Sequence, residues 1–399
     1  MRSVLVRGAM LCLLLAASVI APSHAALAPD DEGTWRACDG QGRPSSAAAV
    51  TGVKVALLPL LLLAPDRPPV LPRPEGLAFG VVGIEACRAA MSDPRSREWP
   101  DRRTMQHLAM AVHLLDAGLQ GGADLSALPA AKAAWLADKD SSGVTPAVRW
   151  MIEPLFDLVL AVGAAERRDP KAAALLSSVI DRRPGSYELA ALTAEASLSQ
   201  GIDMETRRRL WWHAASHEQE RVLVAMGLRA AQSAPFLPSR EMLRDTLIPL
   251  LHDQLVVASY ANRVDLYSAK GTFSSDGYVS ESSAAGELIT YQVDKAPVAW
   301  ARELALFRAA ELAAAAGQTR FVLLEDRSAQ LVARQFTGYG AYAGSYVMRN
   351  DVTLLVGLGG PPAGAAPVSR EPAAWMSVDK MLTALNGSFL KQQRATPRS

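Results

Sequence analysis

From Gly83 to Gln232, Ala and Leu recur at steps of three and four residues, and the run is interrupted at Pro94, Gly121, Ser141 to Gly143, Asp169, Pro184 and Gly201. Apolar positions at that period mark one face of a helix, and Pro, Gly and Asp are the residues that stop one. The spacing predicts a series of short helices paired antiparallel. A further helix fits Arg240 to Val257, with Ser239 as its cap after the break at Pro235 to Pro238. Near Asn262 the period changes. Val264 and Leu266, then Ile289, Tyr291 and Val293, alternate with polar neighbours as half-buried strands do. A helix is predicted from Pro297 to Ala316, with Trp300, Leu304 and Phe307 on one face and Gly317 as its stop. Phe321 to Leu324 and Val352 to Leu358 read as strands, and Ala373 to Leu385 as a closing helix. The fold class expected is mainly α: a helical-repeat array over residues 77–258, followed by a small α+β sheet domain over residues 262–390 and a disordered tail at 391–399.

The N-terminal end of the chain adds an address. Arg2 and Arg7, the apolar stretch Met10 to Ile20, and the small residues Ser23 and Ala25 form an export signal over residues 1–25, with cleavage expected after Ala25. Its apolar core is too short to remain as a membrane span. Residues 26–76 read as an irregular Pro/Gly-rich entry segment. The run Val53 to Ala64 holds about a dozen residues and contains Pro59, so it reads as a strand or buried segment rather than a span. Loss of the leader takes the formal charge from +1 to −1, which gives no basic surface for nucleic acid or anionic lipid. Cys12 leaves with the leader. Cys38 and Cys87 then form an even pair in an oxidising compartment and are expected to make one disulfide.

Part of the helical region resembles the tetratricopeptide repeat. Phe156, Val159 and Leu160 stand on a first helix, and Ala172, Leu176, Val179 and Pro184 follow at the second helix's spacings. An earlier unit shows Met110, Ala111 and Leu114 followed by Ala123 and Ala127, and Ala86, Ala89 and Pro94 form a half-unit before it. The C-terminal third resembles a family of small bacterial envelope lipoproteins of unknown function. The residues carrying that likeness are Leu266-Tyr267-Ser268, Arg308 to Leu312, Gly317, Phe321-Val322, Asp326-Arg327 and Gly357 to Pro362. This second resemblance implies a small sheet module in the envelope and no catalytic residue. The chain lacks the family's lipidated cysteine.

Candidate chemistry is sparse. His213 and His217 lie one helical turn apart with Glu220 three beyond, a spacing that would offer two imidazoles and a carboxylate to zinc, although Ala214 stands where a metalloprotease has its glutamate. His107 and His113 point to different faces, and His252 stands alone in sequence. Ser280 lacks the flanking glycines of a hydrolase elbow. Gly357 to Gly360 lacks the Lys-Ser/Thr of a phosphate loop. Glu325 and Asp326 form a candidate acid pair, and Tyr339, Tyr342 and Tyr346 a candidate sugar or peptide site set against a loop covering the sheet. The expectation is a periplasmic or secreted, non-enzymatic scaffold with no cofactor, binding a protein or peptide partner in the envelope. That partner is expected on a concave face built by first helices, around His107 to Leu114 and Pro154 to Val162. The alternative is an envelope hydrolase with a metal site near His213 and His217.

Overall fold

The computed structural model describes residues 32–43, 76–217, 239–259, 277–293, 298–327, 329–336, 342–359 and 375–386. The expected export signal, the apolar run Val53 to Ala64, the strand expected around Val264 and the tail expected at 391–399 lie outside them. Among the described residues the chain is mainly helical, with a small antiparallel sheet in its C-terminal part.

The helices are α1 (Glu32–Asp39), α2 (Gly80–Ser92), α3 (Pro100–Leu119), α4 (Leu128–Ala137), α5 (Pro146–Glu166), α6 (Ala172–Arg182), α7 (Tyr187–Ala196), α8 (Met204–His217) and α9 (Arg240–Ser259). Their ends follow from residue chemistry. Pro100 and Pro146 sit at first helical positions, where the missing N–H costs nothing. Thr145, Ser186 and Ser239 cap the helices that follow them, with Ser239 Oγ accepting from the Met242 N–H at 3.2 Å. One turn of 3-10 helix at Pro94–Glu98 is capped by Asp93 in the same way.

The entry segment, expected to be irregular, contains a helix. Trp35, Ala37 and Cys38 of α1 are buried against α2 and α3, and packing supplies what an eight-residue helix lacks by itself. Cys38 and Cys87 lie at bonding distance, 2.14 Å between sulfurs, and join α1 to α2. Arg102 of α3 closes the same contact by bonding Asp39 at 2.5 Å and the Gln41 carbonyl at 2.8 Å.

Helices α5 and α6 form a hairpin, and Phe156, Val159, Ala172, Leu176 and Val179 are all buried in the core. The earlier unit departs from the expected spacing. Ala123 lies in the turn after α3 and Ala127 is exposed on a 3-10 turn, because Asp124 caps that turn by accepting from the Ser126 N–H at 2.8 Å and α4 starts only at Leu128 with Pro129 behind it.

The sheet has order β1-β2-β5-β3-β6, with β1 (Gly277–Ser283), β2 (Gly286–Val293), β3 (Arg320–Asp326), β4 (Ala329–Phe336), β5 (Tyr342–Leu358) and β6 (Trp375–Ser377). Every pairing is antiparallel. Strands β3 and β4 lie end to end along β5, pairing with residues 354–358 and 342–351 of it. The Gly/Tyr-rich stretch is therefore strand from Tyr342 onward, not a covering loop, because cross-strand pairing holds a segment whose glycines give it little strand preference of its own. The closing segment begins as the short strand β6 before turning into α11 (Val378–Asn386).

Helix α10 (Val298–Ala315) lies between the sheet and the helical array. Trp300, Leu304 and Phe307 are buried as their spacing implies, and so is the opposite face, including Arg302 and Glu303. A helix covered on both sides cannot be recognised by a single apolar stripe. One continuous core runs from Trp35 through α3, α5 and α9 to Ile289, Val352, Phe321 and Met381.

Candidate functional site

The histidine candidates separate in space. His107 shares a hydrogen bond with Asp138 at 2.7 Å, and Asp138 also receives Arg103 at 2.5 Å, Ser141 Oγ at 3.1 Å and the Asp140 N–H at 3.0 Å. Burial alone would raise the Asp138 carboxyl; the bonds from His107, Arg103 and Asp140 outweigh it and bring it down to about 2. This is a structural clasp between α3 and the turn after α4. Because the folded value lies below the unfolded one near 4, the clasp stabilises fully above about pH 4 and its contribution disappears as pH falls toward 2. The clasp sits close to solvent, which screens its charges, so only part of the shift at 1.36 kcal/mol per unit counts toward stability. Asp138→Asn is expected to remove about 1–2 kcal/mol of the acid dependence. Urea denaturation of both proteins between pH 5 and 2 checks it, and parallel curves would disprove the assignment.

His113 and His252, far apart in sequence, come together. His113 is fully buried and its Nε2 stands 2.7 Å from the Cys38 carbonyl. The His252 ring, on α9, lies 5.1 Å from it, centre to centre, with Phe79 edge-on at 5.7 Å. Burial lowers both imidazoles, His252 to about 3, so both are neutral at pH 7. In sequence His252 stands alone because nothing local links α9 to α3.

His213 lines an open groove of about 820 Å³ on α8 with Asp203, Glu205, Thr206, Arg208, Arg209 and Trp212. Burial, then the nearby Lys380, lowers its ring to about 4, opposed by Asp181. Glu220 and the His217 side chain lie outside the described residues. Among the described residues no group of three or more His, Cys, Asp or Glu side chains is arranged to hold a metal ion.

The remaining candidates have ordinary partners. Glu325 pairs with Arg327 at 2.6 Å and Asp326 with Arg302 at 2.5 Å, so the two carboxylates serve different partners. Ser280 on β1 receives Arg308 at 3.5 Å. Gly357 pairs with Val322 inside the sheet, and the Gly359 N–H bonds the Arg320 carbonyl, so this run closes a strand instead of opening a phosphate site. Tyr342 and Tyr346 belong to β5, and Tyr339 lies outside the described residues.

The expected concave face is not open. Between His107 and Leu114, and between Pro154 and Val162, nearly every side chain is buried, because α3 and α5 are central helices covered by α2, α4, α6 and α9. A second groove, of about 350 Å³, opens where the helical array meets α11. Arg149, Trp150, Glu153 and Pro154 of α5 form one wall, Asp181 and Arg182 of α6 a second, and Thr383 and Ala384 of α11 a third. Trp150 forms a fixed floor. The Arg183 guanidinium lies 4.2 Å from its ring and Trp300 meets it edge-on at 5.4 Å. Arg183 is held in turn by Glu303 at 2.6 Å, both side chains being at most 3% exposed. At the rim Arg182 joins Glu153 at 2.9 Å and Asp157 at 3.0 Å, and Lys380 joins Asp181 at 2.7 Å. The groove thus combines an aromatic side chain with charged side chains of both signs.

No protein family, curated protein or solved structure matches this chain. No helix among the described residues is long and apolar enough to cross a membrane.

Proposed function

We propose that this chain is a non-enzymatic binding module of the cell envelope, exported by its N-terminal signal, that takes an extended segment of a protein partner into the groove between the helical array and α11. The observation carrying this reading is the groove itself: three elements from both parts of the chain converge on a Trp150 floor held rigid by Arg183 and Trp300. Rigid aromatic residues in a pocket are the usual anchors of protein recognition. The tetratricopeptide-like spacing of α5 and α6 supports the same class of role, with the site moved from the first-helix face to the helix ends.

The test places a photocrosslinking residue at Ala384 and, separately, at exposed Glu85 on α2, in protein expressed in its own envelope. A defined adduct is expected from position 384 and not from 85. Ala384→Trp, which fills the groove, is expected to weaken capture at least about tenfold, as loss of an interface anchor does. Equal crosslinking from both positions, or capture unaffected by Ala384→Trp, would refute the proposal.

A further inference from the structure

We propose a second, independent site: His113 and His252 together bind one divalent transition-metal ion of the zinc type. Three features of the pair converge on this. The first is hydrogen bonding. His113 gives its Nε2–H to the Cys38 carbonyl at 2.7 Å, which leaves the lone pair on Nδ1. Donation of one ring N–H to a backbone carbonyl, with the other nitrogen left as a ligand, is how proteins orient a metal-binding imidazole.

The second is the state of the remaining nitrogens. His113 Nδ1 and both ring nitrogens of His252 are buried without a hydrogen-bond partner among the described residues. Each such group costs stability where an aliphatic side chain would cost nothing. A bound cation answers the lone pairs. Asp116, one turn along α3 and fully buried, gives one oxygen to Arg244 and has its other oxygen without a partner among the described residues, which places negative charge beside His113.

The third is spacing. Two imidazoles sharing one tetrahedral ion at about 2.0–2.1 Å hold their ring centres about 5 Å apart, and here the centres are 5.1 Å apart. The surrounding helices are shaped to the pair. A Cβ on Gly83 would run into the His113 ring, so glycine at that position lets α2 close over it. Phe79 lies edge-on to His252 and is itself 46% exposed, so the pair stands next to the surface rather than in the centre of the core. Two protein ligands are fewer than the three or four of zinc sites built wholly by one chain, so the remaining positions of the ion fall to water or to an added ligand.

The experiment uses the full chain without its leader, stripped with chelator, titrated with Zn²⁺ by calorimetry and with Co²⁺ as a coloured reporter. One ion per chain is expected, with a rise in melting temperature on adding Zn²⁺. His252→Phe, which keeps a flat ring in the same space, is expected to weaken binding at least about a hundredfold and to abolish the melting shift, since it removes one of two ligands. Should His252→Phe fail to fold, His252→Gln decides in its place. His213→Ala is expected to leave binding unchanged. The proposal is overturned if the wild-type chain takes up no Zn²⁺ at one per chain, if binding survives loss of the His252 ring, or if His213→Ala removes it.

Discussion

Replacing Arg183 by Met is expected to destabilise the protein by about 3–5 kcal/mol. The Glu303 carboxylate is 2% exposed and receives Arg183 through both Nε, at 3.3 Å, and Nη2, at 2.6 Å. With the guanidinium gone, a charge remains buried with no counter-charge, and Trp150 loses the cation stacked on it. The pair as a whole is worth far less than its disruption costs, since its attraction is largely offset by desolvation. The double variant Arg183→Met, Glu303→Met is therefore expected to recover most of the loss. Urea denaturation of the two single variants and the double variant measures this directly, and a loss below about 1 kcal/mol for Arg183→Met would show that Glu303 finds water or another partner. The effect reaches the proposed binding groove, because Arg183 fixes its floor. It also bears on the C-terminal module. A fragment beginning near residue 262 lacks Arg183, so Glu303 and Trp300 would face solvent or go unpaired, and such a fragment is expected to melt below the intact chain.

Loss of the Cys38 to Cys87 link is expected to cost about 4 kcal/mol, the chain-entropy value for a loop closed over a sequence separation of 49. Both cysteines are fully buried, and the bond holds α1 in place with Trp35 in the core, Arg102 on Asp39 and His113 on the Cys38 carbonyl. Denatured but unreduced protein lacking residues 1–25 should show no free thiol. Cys87→Ala should lower the urea midpoint with little change in slope if both proteins expose similar surface on unfolding. Two reactive thiols in the unreduced protein would remove the basis of the prediction.

Much of the architecture is legible in the order of the residues. The stops at Pro94, Gly121, Asp169, Pro184 and Gly201 all fall between α-helices, and the alternation at Ile289, Tyr291 and Val293 marks β2. These signals are local: a proline lacks an N–H, and a period of two places alternate side chains on one face. The cysteine pair is legible too, because two cysteines remain once an expected export signal is set aside, and an even count constrains them independently of geometry. The candidate sites are far less so. The tyrosine stretch reads as a loop because glycine weakens strand propensity, yet both β3 and β4 pair with β5.

By itself the sequence determined the helical series, the change to strands in the C-terminal third and the pairing of two cysteines, since each depends on neighbours within a few residues or on counting. Only the tertiary structure decided that α3 and α5 are central, with the stretches His107 to Leu114 and Pro154 to Val162 largely buried, that α10 is buried on both sides, and that Arg183 meets Glu303 while His113 meets His252. Those contacts join residues more than a hundred positions apart. A charged residue or a lone histidine carries no local mark of the partner it will find, because burial and pairing are set by how whole elements pack, and packing is what turns an ordinary polar side chain into a structural tie or a site.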